Sequence, residues 1–393
     1  MSHCWDVVVA GGGIHGVGIA QAVAAAGHSV LVLEQQAIAA GSSSRSSKLI
    51  HGGLRYLESG QFRLVRESLH ERALLLRLAP ELVRLQSFYV PIYEHSRRRP
   101  WQLRIGLSIY AVLAGLDAAA RFDTVPRSAW AQLDGLDTRG LQQVFRYHDA
   151  QTDDELLTAA VMRSARSLGA ELELPARCTG ATLAGDEVIV RYQSGASERE
   201  CRARVLVNAA GPWAGSLARS VTPAVKVPAL ELVQGTHLVL DGPPQAGVYY
   251  LESPRDGRAI FVMPWRGQLL LGTTEVRFHG DPAAVAPGAH EIHYLMSVLR
   301  HYFPAFNDAA ASQLRGSFAG LRVLPAQGGH AFHRSRETLL ITDRERRPRL
   351  LSIYGGKLTT WRAVAARALA QISPSLPQRR ALARTDQLEL RPS

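Results

Sequence analysis

Cysteine is scarce in this chain. Its 393 residues hold three, Cys4, Cys178 and Cys201, far apart and odd in number. They cannot make a disulfide framework and lack the paired spacing of a zinc site, which points to a reducing compartment. Long apolar runs are missing as well. The nearest, Ile105 to Leu116, is flanked by Arg104 and Asp117 and falls short of the roughly 20 residues that span a bilayer. No targeting segment is expected, because the N-terminus runs almost at once into Asp6-Val-Val-Val-Ala10, a buried strand. No repeat is visible, and the 14 histidines show no metal-ligand pattern, so no metal is expected.

Acidic residues are outnumbered, 34 Asp+Glu against 45 Lys+Arg, for a formal net charge of +11. Such an excess suits nucleic acid, an anionic membrane surface or an anionic substrate. The arginines are dispersed and no recognition motif or RNP-like aromatic pattern accompanies them, which argues against nucleic acid. A hydrophobic content of 46%, with 34 Gly and 20 Pro, excludes a disordered or collagen-like chain. The length admits two or three domains, or one large interleaved α/β unit.

The clearest unit is the first 35 residues. Asp6–Ala10 reads as a strand, 11–16 as a tight turn, Val17–Ala26 as an Ala-rich helix, and Ser29–Leu33 as a strand ending in Glu34. Gly11-Gly-Gly-Ile14-His15-Gly16 fits the G-x-G-x-x-G pattern. Gly11 permits the turn, Gly13 lets the backbone approach a pyrophosphate, and Gly16 allows close helix–strand packing. The helix start offers N–H groups to the phosphates. Glu34, 21 residues past Gly13, can accept from both ribose hydroxyls. Strand, turn, helix and acid together indicate a dinucleotide. The motif's N-terminal place, with Asn208-Ala-Ala-Gly211 and Gly355-Gly356 available to pack on a flavin, favours FAD over NAD.

Further along, Ser42–Ser47 is a Ser-rich loop, 61–85 a helix rich in Leu and Arg, 101–116 an apolar helix after Arg97-Arg-Arg-Pro100, and Asp153–Leu168 a helix. Arg204–Asn208 reads as a short strand, 230–275 as strand-rich, and Leu350–Tyr354 as a strand before a helix from Leu358 to Ile372. Arg97–Arg99, Trp101, Arg104 and the apolar 105–116 read equally as an in-plane membrane anchor or as a core helix with a basic cap.

The run Ser46-Ser47-Lys48-Leu-Ile-His51-Gly52-Gly-Leu-Arg55-Tyr56-Leu-Glu58 resembles a signature of FAD-dependent glycerol-3-phosphate dehydrogenases. Arg104–Leu107, Asn208–Trp213, Gln234–His237, Phe261–Trp265, Gly272–Glu275, Gly320–Arg322 and Gly355–Arg362 match it in the same order. The resemblance extends over about residues 5–372. It implies an α/β chain in which a discontinuous Rossmann-like FAD-binding domain (1–90, 150–215 and 345–375) interleaves with a mixed-sheet α+β substrate domain (91–149 and 216–344). A polar tail, 376–393, follows where the family usually continues into a further helical domain. The implied reaction oxidises sn-glycerol 3-phosphate to dihydroxyacetone phosphate by hydride transfer to flavin N5, with electrons passed to a membrane quinone or to oxygen. That places the protein in the cytoplasm, peripheral on the inner face of the membrane. Glu275 stands where the family usually has Asp. Another small anionic hydroxy or amino acid as substrate, and a non-catalytic flavoprotein, are the alternatives.

Within the matched motifs, the cofactor would be held by Gly11, Gly13, Ile14, His15, Gly16, Glu34 and Gln35. Ser46, Ser47, Lys48, His51, Gly52, Gly211, Gly355, Gly356, Lys357, Leu358 and Thr359 complete that set. A phosphate monoester needs several fixed cations. Arg55 with Tyr56, Arg322, Arg336 and Lys357 are the candidates, Lys357 also stabilising charge on the reduced ring. Thr274 is a pocket-lining candidate. Removing the alcohol proton calls for a neutral histidine, His237 or His51.

Overall fold

The structure, a computed structural model, describes residues 4–243, 246–307, 313–326 and 338–392. Arg336, one of the expected phosphate ligands, lies outside the described residues.

The strand Cys4–Ala10 sits at the centre of a nine-stranded sheet. Its apolar run is buried on both faces, as a parallel strand covered by helices should be. It pairs in parallel with Val30–Leu33 on one side and with the end of Ser197–Asn208 on the other. Leu350–Tyr354 extends the parallel set beyond Ser197–Asn208, and Glu171–Glu173 extends it beyond Val30–Leu33. Helix α1 (Ile14–Ala25) is buried almost all round, packed by residues of the same core as Leu157, Val161 and Trp361.

A second, ten-stranded sheet runs Val276–Phe278, Leu230–Leu240, Gln268–Gly272, Ala259–Trp265, Val248–Glu252, Val83–Tyr93, Leu141–Thr152, Leu49–Ile50. Leu314–Pro325 pairs along the whole of Leu230–Leu240. Two strands of this sheet, Leu49–Ile50 and Val83–Tyr93, fall inside or across the first expected cofactor segment, 1–90. The sheets therefore divide the chain at other points than residue 90.

The expected helix 61–85 ends early. Helix α2 covers Phe62–Leu78, and Pro80 separates it from the strand Val83–Tyr93. The residue before a proline is pushed out of the helical region, and the β-branched and aromatic run that follows favours the sheet. Helix α3 is Pro100–Leu113 and helix α4 Asp154–Ser167, the latter capped by Asp153 accepting from the N–H of Leu156.

The expected polar tail is packed. Leu382 and Ala383 donate backbone N–H bonds to the Ala25 carbonyl at the end of α1, and Leu390 N–H bonds the Leu78 carbonyl at the end of α2. Leu390 is 3% exposed within the α1 core, a burial that contributes about 1.5–3 kcal/mol. One leucine and the unpaired carbonyls of two helix ends outweigh the polar average of the segment.

Candidate functional site

The glycine turn has the geometry its sequence requires. Gly11 has φ +112°, and a Cβ there would stand 2.6 Å from the Ala209 carbonyl oxygen. A Cβ on Gly16 would meet the Gly11 carbonyl oxygen at 1.9 Å. Both approaches bring strand, turn and helix α1 close enough to leave the helix N-terminus open over the end of the parallel strands. Ser43 Oγ accepts from Ile14 N–H there at 2.9 Å. Glu34 accepts from Gly12 N–H (2.7 Å) and Gln36 N–H (2.8 Å), which fixes its carboxylate while leaving each oxygen a further lone pair. His15 Nε2 lies 2.2 Å from where a Gly356 Cβ would be, so Gly356, at φ +107°, is needed for the helix and the 355–357 turn to meet. Burial, with Arg367 adding to it, pushes His15 down to about 4, so its ring is neutral.

One cavity runs from this turn to the second sheet. Gly11, Gly13, Ile14, His15, Glu34, Gln35, Ser46, Ser47, His51, Arg55, Tyr56, Gly211, His237, Arg322, Gly355, Gly356, Lys357, Leu358 and Thr359 line it, so most of the expected site residues come together. Four do not line it, for different reasons. Gly16 acts beneath the turn. Gly52 donates its N–H to Tyr110 Oη at 2.9 Å, and a Cβ there would come within 2.4 Å of that oxygen, so its role is to let the loop pass. Lys48, expected to hold the cofactor, turns inward: its Nζ pairs with Asp154 Oδ1 at 2.5 Å and donates to the Ser44 carbonyl. Both side chains are almost wholly buried, so the pair anchors the loop instead of facing a ligand. Thr274, expected to line the pocket, also turns away from it. Its hydroxyl accepts from Thr236 N–H (2.8 Å) and bonds the buried Glu291, while its neighbour Thr273 lines the cavity.

The loop 42–52 is held at several further points. Ser42 Oγ donates to the Leu321 carbonyl (2.6 Å), Ser46 N–H to Asp154 Oδ2 (2.9 Å), and His51 N–H to Thr359 Oγ1 (3.1 Å). Tyr110 Oη, on α3, donates to Asp149 Oδ2 (2.6 Å), and Arg72, on α2, pairs with Asp149 Oδ1 (2.6 Å). Burial raises the Asp149 carboxyl against the opposing pull of Arg72.

On the substrate side, His237 is 1% exposed. Its ring stacks on Phe318 (centroids 5.0 Å) and fits against Gly272, where a Cβ would clash at 2.2 Å. Its Nε2 meets Ser47 Oγ at 2.9 Å. Burial first, then Arg322 and Lys48, holds it well below the ordinary histidine value, so it is neutral near pH 7. Arg322 pairs with Glu275 (3.1 Å) and donates to Thr273 Oγ1 (3.2 Å). Lys357 Nζ stands 3.7 Å over the Tyr56 ring and Arg55 lies 5.4 Å from it, two cation–π contacts on one phenol.

Sequence reasoning missed Ser43 and Arg258. Ser43 was visible only as one of a run of serines. Arg258 lines the cavity and donates to the Glu275 carbonyl at 3.1 Å, a placement made by a turn with no motif of its own. Among the described lining residues, Arg45, Arg55, Arg177, Arg258, Arg322 and Lys357 face two carboxylates, Glu34 and Glu275. The charge balance suits an anionic ligand at both ends.

Comparison with known proteins agrees with this geometry. Residues 6–362 match the family model described as FAD dependent oxidoreductase. A glycerol-3-phosphate dehydrogenase of Pseudomonas aeruginosa is 37% identical over 95% of this chain and 72% of its own length. A D-erythritol 1-phosphate dehydrogenase of Brucella abortus is 33% identical over 95% of this chain and 74% of its own. The crystal structure of the Bacillus halodurans glycerol-3-phosphate dehydrogenase complexed with FAD superposes with a TM-score of 0.77 at 26% identity, covering 99% of this chain and 68% of that one. The dinucleotide turn, the fixed acid at the second strand and the cation-lined cavity are thus those of a chain that belongs to the FAD-dependent oxidoreductase family, with glycerol-3-phosphate dehydrogenases among its relatives.

Proposed function

We propose that the protein oxidises a small phosphorylated polyol, sn-glycerol 3-phosphate first, to the corresponding ketone, dihydroxyacetone phosphate. The observation that carries this reading is the single cavity that joins the dinucleotide turn to Arg55, Arg322, Lys357 and the neutral His237. When bound, FAD supplies the two-electron oxidant that accepts hydride at N5. The first sheet and its loops would hold it: the α1 N-terminus and Ser43 toward the pyrophosphate, Glu34 toward the ribose, and Gly355–Thr359 toward the ring. The second sheet supplies most of the substrate side. Arg322 offers a planar fork to the phosphate, Arg55 and Lys357 add charge, and Tyr56 stacks beneath both cations. His237, neutral beside the substrate cavity, takes the alcohol proton.

The test is anaerobic. Mixing the yellow holoprotein with glycerol 3-phosphate should bleach the flavin band, whereas lactate, glycine and proline should leave it. Bleaching by a hydroxy or amino acid alone would overturn the phosphate assignment. Erythritol 1-phosphate in the same panel measures how long a chain the cavity accepts.

The electrons are proposed to leave to a quinone at an anionic membrane surface, the inner face of the membrane for a cytoplasmic protein. Among the described residues no helix is long and apolar enough to cross a membrane. Helix α3 supports in-plane docking instead: Trp101, Ile105 and Val112, with Leu116 just beyond, are exposed, and Arg97–Arg99 and Arg104 adjoin them. The protein should sediment with vesicles of mixed phosphatidylglycerol and phosphatidylcholine. A Trp101→Glu/Val112→Glu variant should stay in the supernatant with unchanged flavin reduction, and vesicle binding by that variant would remove α3 from the interface.

A further inference from the structure

His237 borders the cavity but shows almost none of its ring to it. It is 1% exposed, flanked by Phe318 on one face and Gly272 on another, and its Nδ1 is buried with no hydrogen-bond partner among the described residues. Nε2 is the ring nitrogen with a polar contact, and that contact is the Ser47 hydroxyl at 2.9 Å. Ser47 itself is partly exposed and lines the cavity. Nε2 therefore has in Ser47 a hydroxyl partner that itself opens on the cavity.

We propose that Ser47 is a catalytic relay: its hydroxyl takes the substrate's alcohol proton and passes its own to His237 Nε2. The inference rests on the proposed alcohol oxidation. The balance is complete. The substrate O–H proton moves to Ser47 Oγ while the Ser47 proton moves to Nε2. The C2–H bond breaks with its electron pair leaving as hydride to the oxidised flavin that the family's reaction supplies, and C–O becomes C=O. The substrate loses two electrons and two protons, one proton within the hydride and one now on the imidazole.

The surroundings fit this traffic. The serine is fixed in its loop by flanking bonds, Ser46 N–H to Asp154 and the buried Lys48–Asp154 pair, so its hydroxyl is held for one partner. The charged groups that bear on the imidazole are Arg322 from the strand 314–325 and Lys48 from the loop, both opposing an imidazolium, with Glu275 bonded to Arg322. A phosphate placed on Arg322 offsets that opposition, so the base gains strength when substrate is in place. Ser47 also joins the loop 42–52 to the strand that carries the base, across 190 residues of sequence.

Two measurements test the relay. In stopped-flow anaerobic reduction, Ser47→Ala should slow the flavin bleaching roughly a hundredfold, within the 10²–10⁴ range of acid–base assistance, at unchanged substrate dissociation constant. Ser47→Thr, which keeps the hydroxyl, should recover most of the rate. Without substrate or turnover, ¹⁵N NMR of the histidine ring should show the proton on Nδ1 with Nε2 accepting, and Ser47→Ala should shift the Nε2 resonance. An unchanged rate in Ser47→Ala, equal slowing in both variants, or an Nε2–H tautomer would each overturn the relay. If wild-type protein is not bleached by any polyol phosphate, it is the proposed function that falls; a bleached wild type with an equally fast Ser47→Ala removes the relay alone.

Discussion

Replacing Gly16 by alanine is expected to yield a protein that purifies without flavin. The added methyl carbon would stand 1.9 Å from the Gly11 carbonyl oxygen, a backbone atom that cannot swing aside. Relief requires α1 to move away from the turn, or Gly11 to move from a φ of +112° that non-glycine backbone does not share. Either motion spoils the aim of the helix N-terminus at the pyrophosphate, so the strain and the lost phosphate contacts fall on the same step. Overpacking of this kind costs about 1–3 kcal/mol, before the cofactor's binding energy is counted. We expect FAD affinity to drop by at least about a hundredfold, read as the ratio of flavin to protein absorbance and by titration of the apoprotein. Gly60→Ala is the control. It also has a positive φ, +69°, but nothing lies within 4 Å of its Cβ, so it should lose a little stability and keep its colour. Equal flavin content in both variants would show that the close approach at Gly16 is dispensable.

Arg322→Ala is expected to raise KM for a phosphorylated substrate by at least about thirtyfold while leaving the bound flavin's spectrum intact. The change does more than remove a cation. Glu275, whose side chain is 4% exposed, stays in the cavity and presents its charge to an incoming dianion. Truncating one member of a buried hydrogen-bonded charge pair costs about 2–5 kcal/mol, which corresponds to the stated loss at its lower end. Arg322→Lys should recover only part of the affinity, because an ammonium cannot contact Glu275, Thr273 and a phosphate with the geometry of a planar fork. An unchanged KM in Arg322→Ala would move the phosphate elsewhere in the cavity.

How much of this could be read from the sequence depended on where each interaction is made. The nucleotide turn was readable because every part of it is local: a buried strand, glycines at fixed offsets, a helix, and an acid one strand later. Lys48 and Thr274 sit inside signature runs, which suggests ligand contact, yet both side chains point away from the cavity. A motif records that a residue is constrained; it does not record which way the side chain faces, and a positive φ of 60° at Lys48 breaks the simple alternation that would have told it. Asp154, 106 residues away, is what draws the lysine inward. Arg258 and Ser43 show the converse. Each reaches the site through a turn whose path is set by the tertiary fold, so local pattern carried no signal. The packing of the polar tail was hidden for a similar reason: its average polarity conceals one leucine that finds a place in the core.

Tyr110 gives helix α3 two different surfaces. Four of its apolar side chains, Trp101, Ile105, Ile109 and Val112, face outward, while the Tyr110 hydroxyl, buried beneath them, is shared with Asp149 and with the Gly52 N–H next to His51. Lifting α3 would leave Asp149 and the Gly52 N–H inside the protein with one partner fewer, a cost of about 1–3 kcal/mol for a buried polar group and more for a charged one. The helix and the loop 42–52 are therefore expected to open as one cooperative unit, not as two independently fraying segments. An event that grips the outer face of α3 should thereby be registered in the hydrogen-exchange protection of the Gly52 amide.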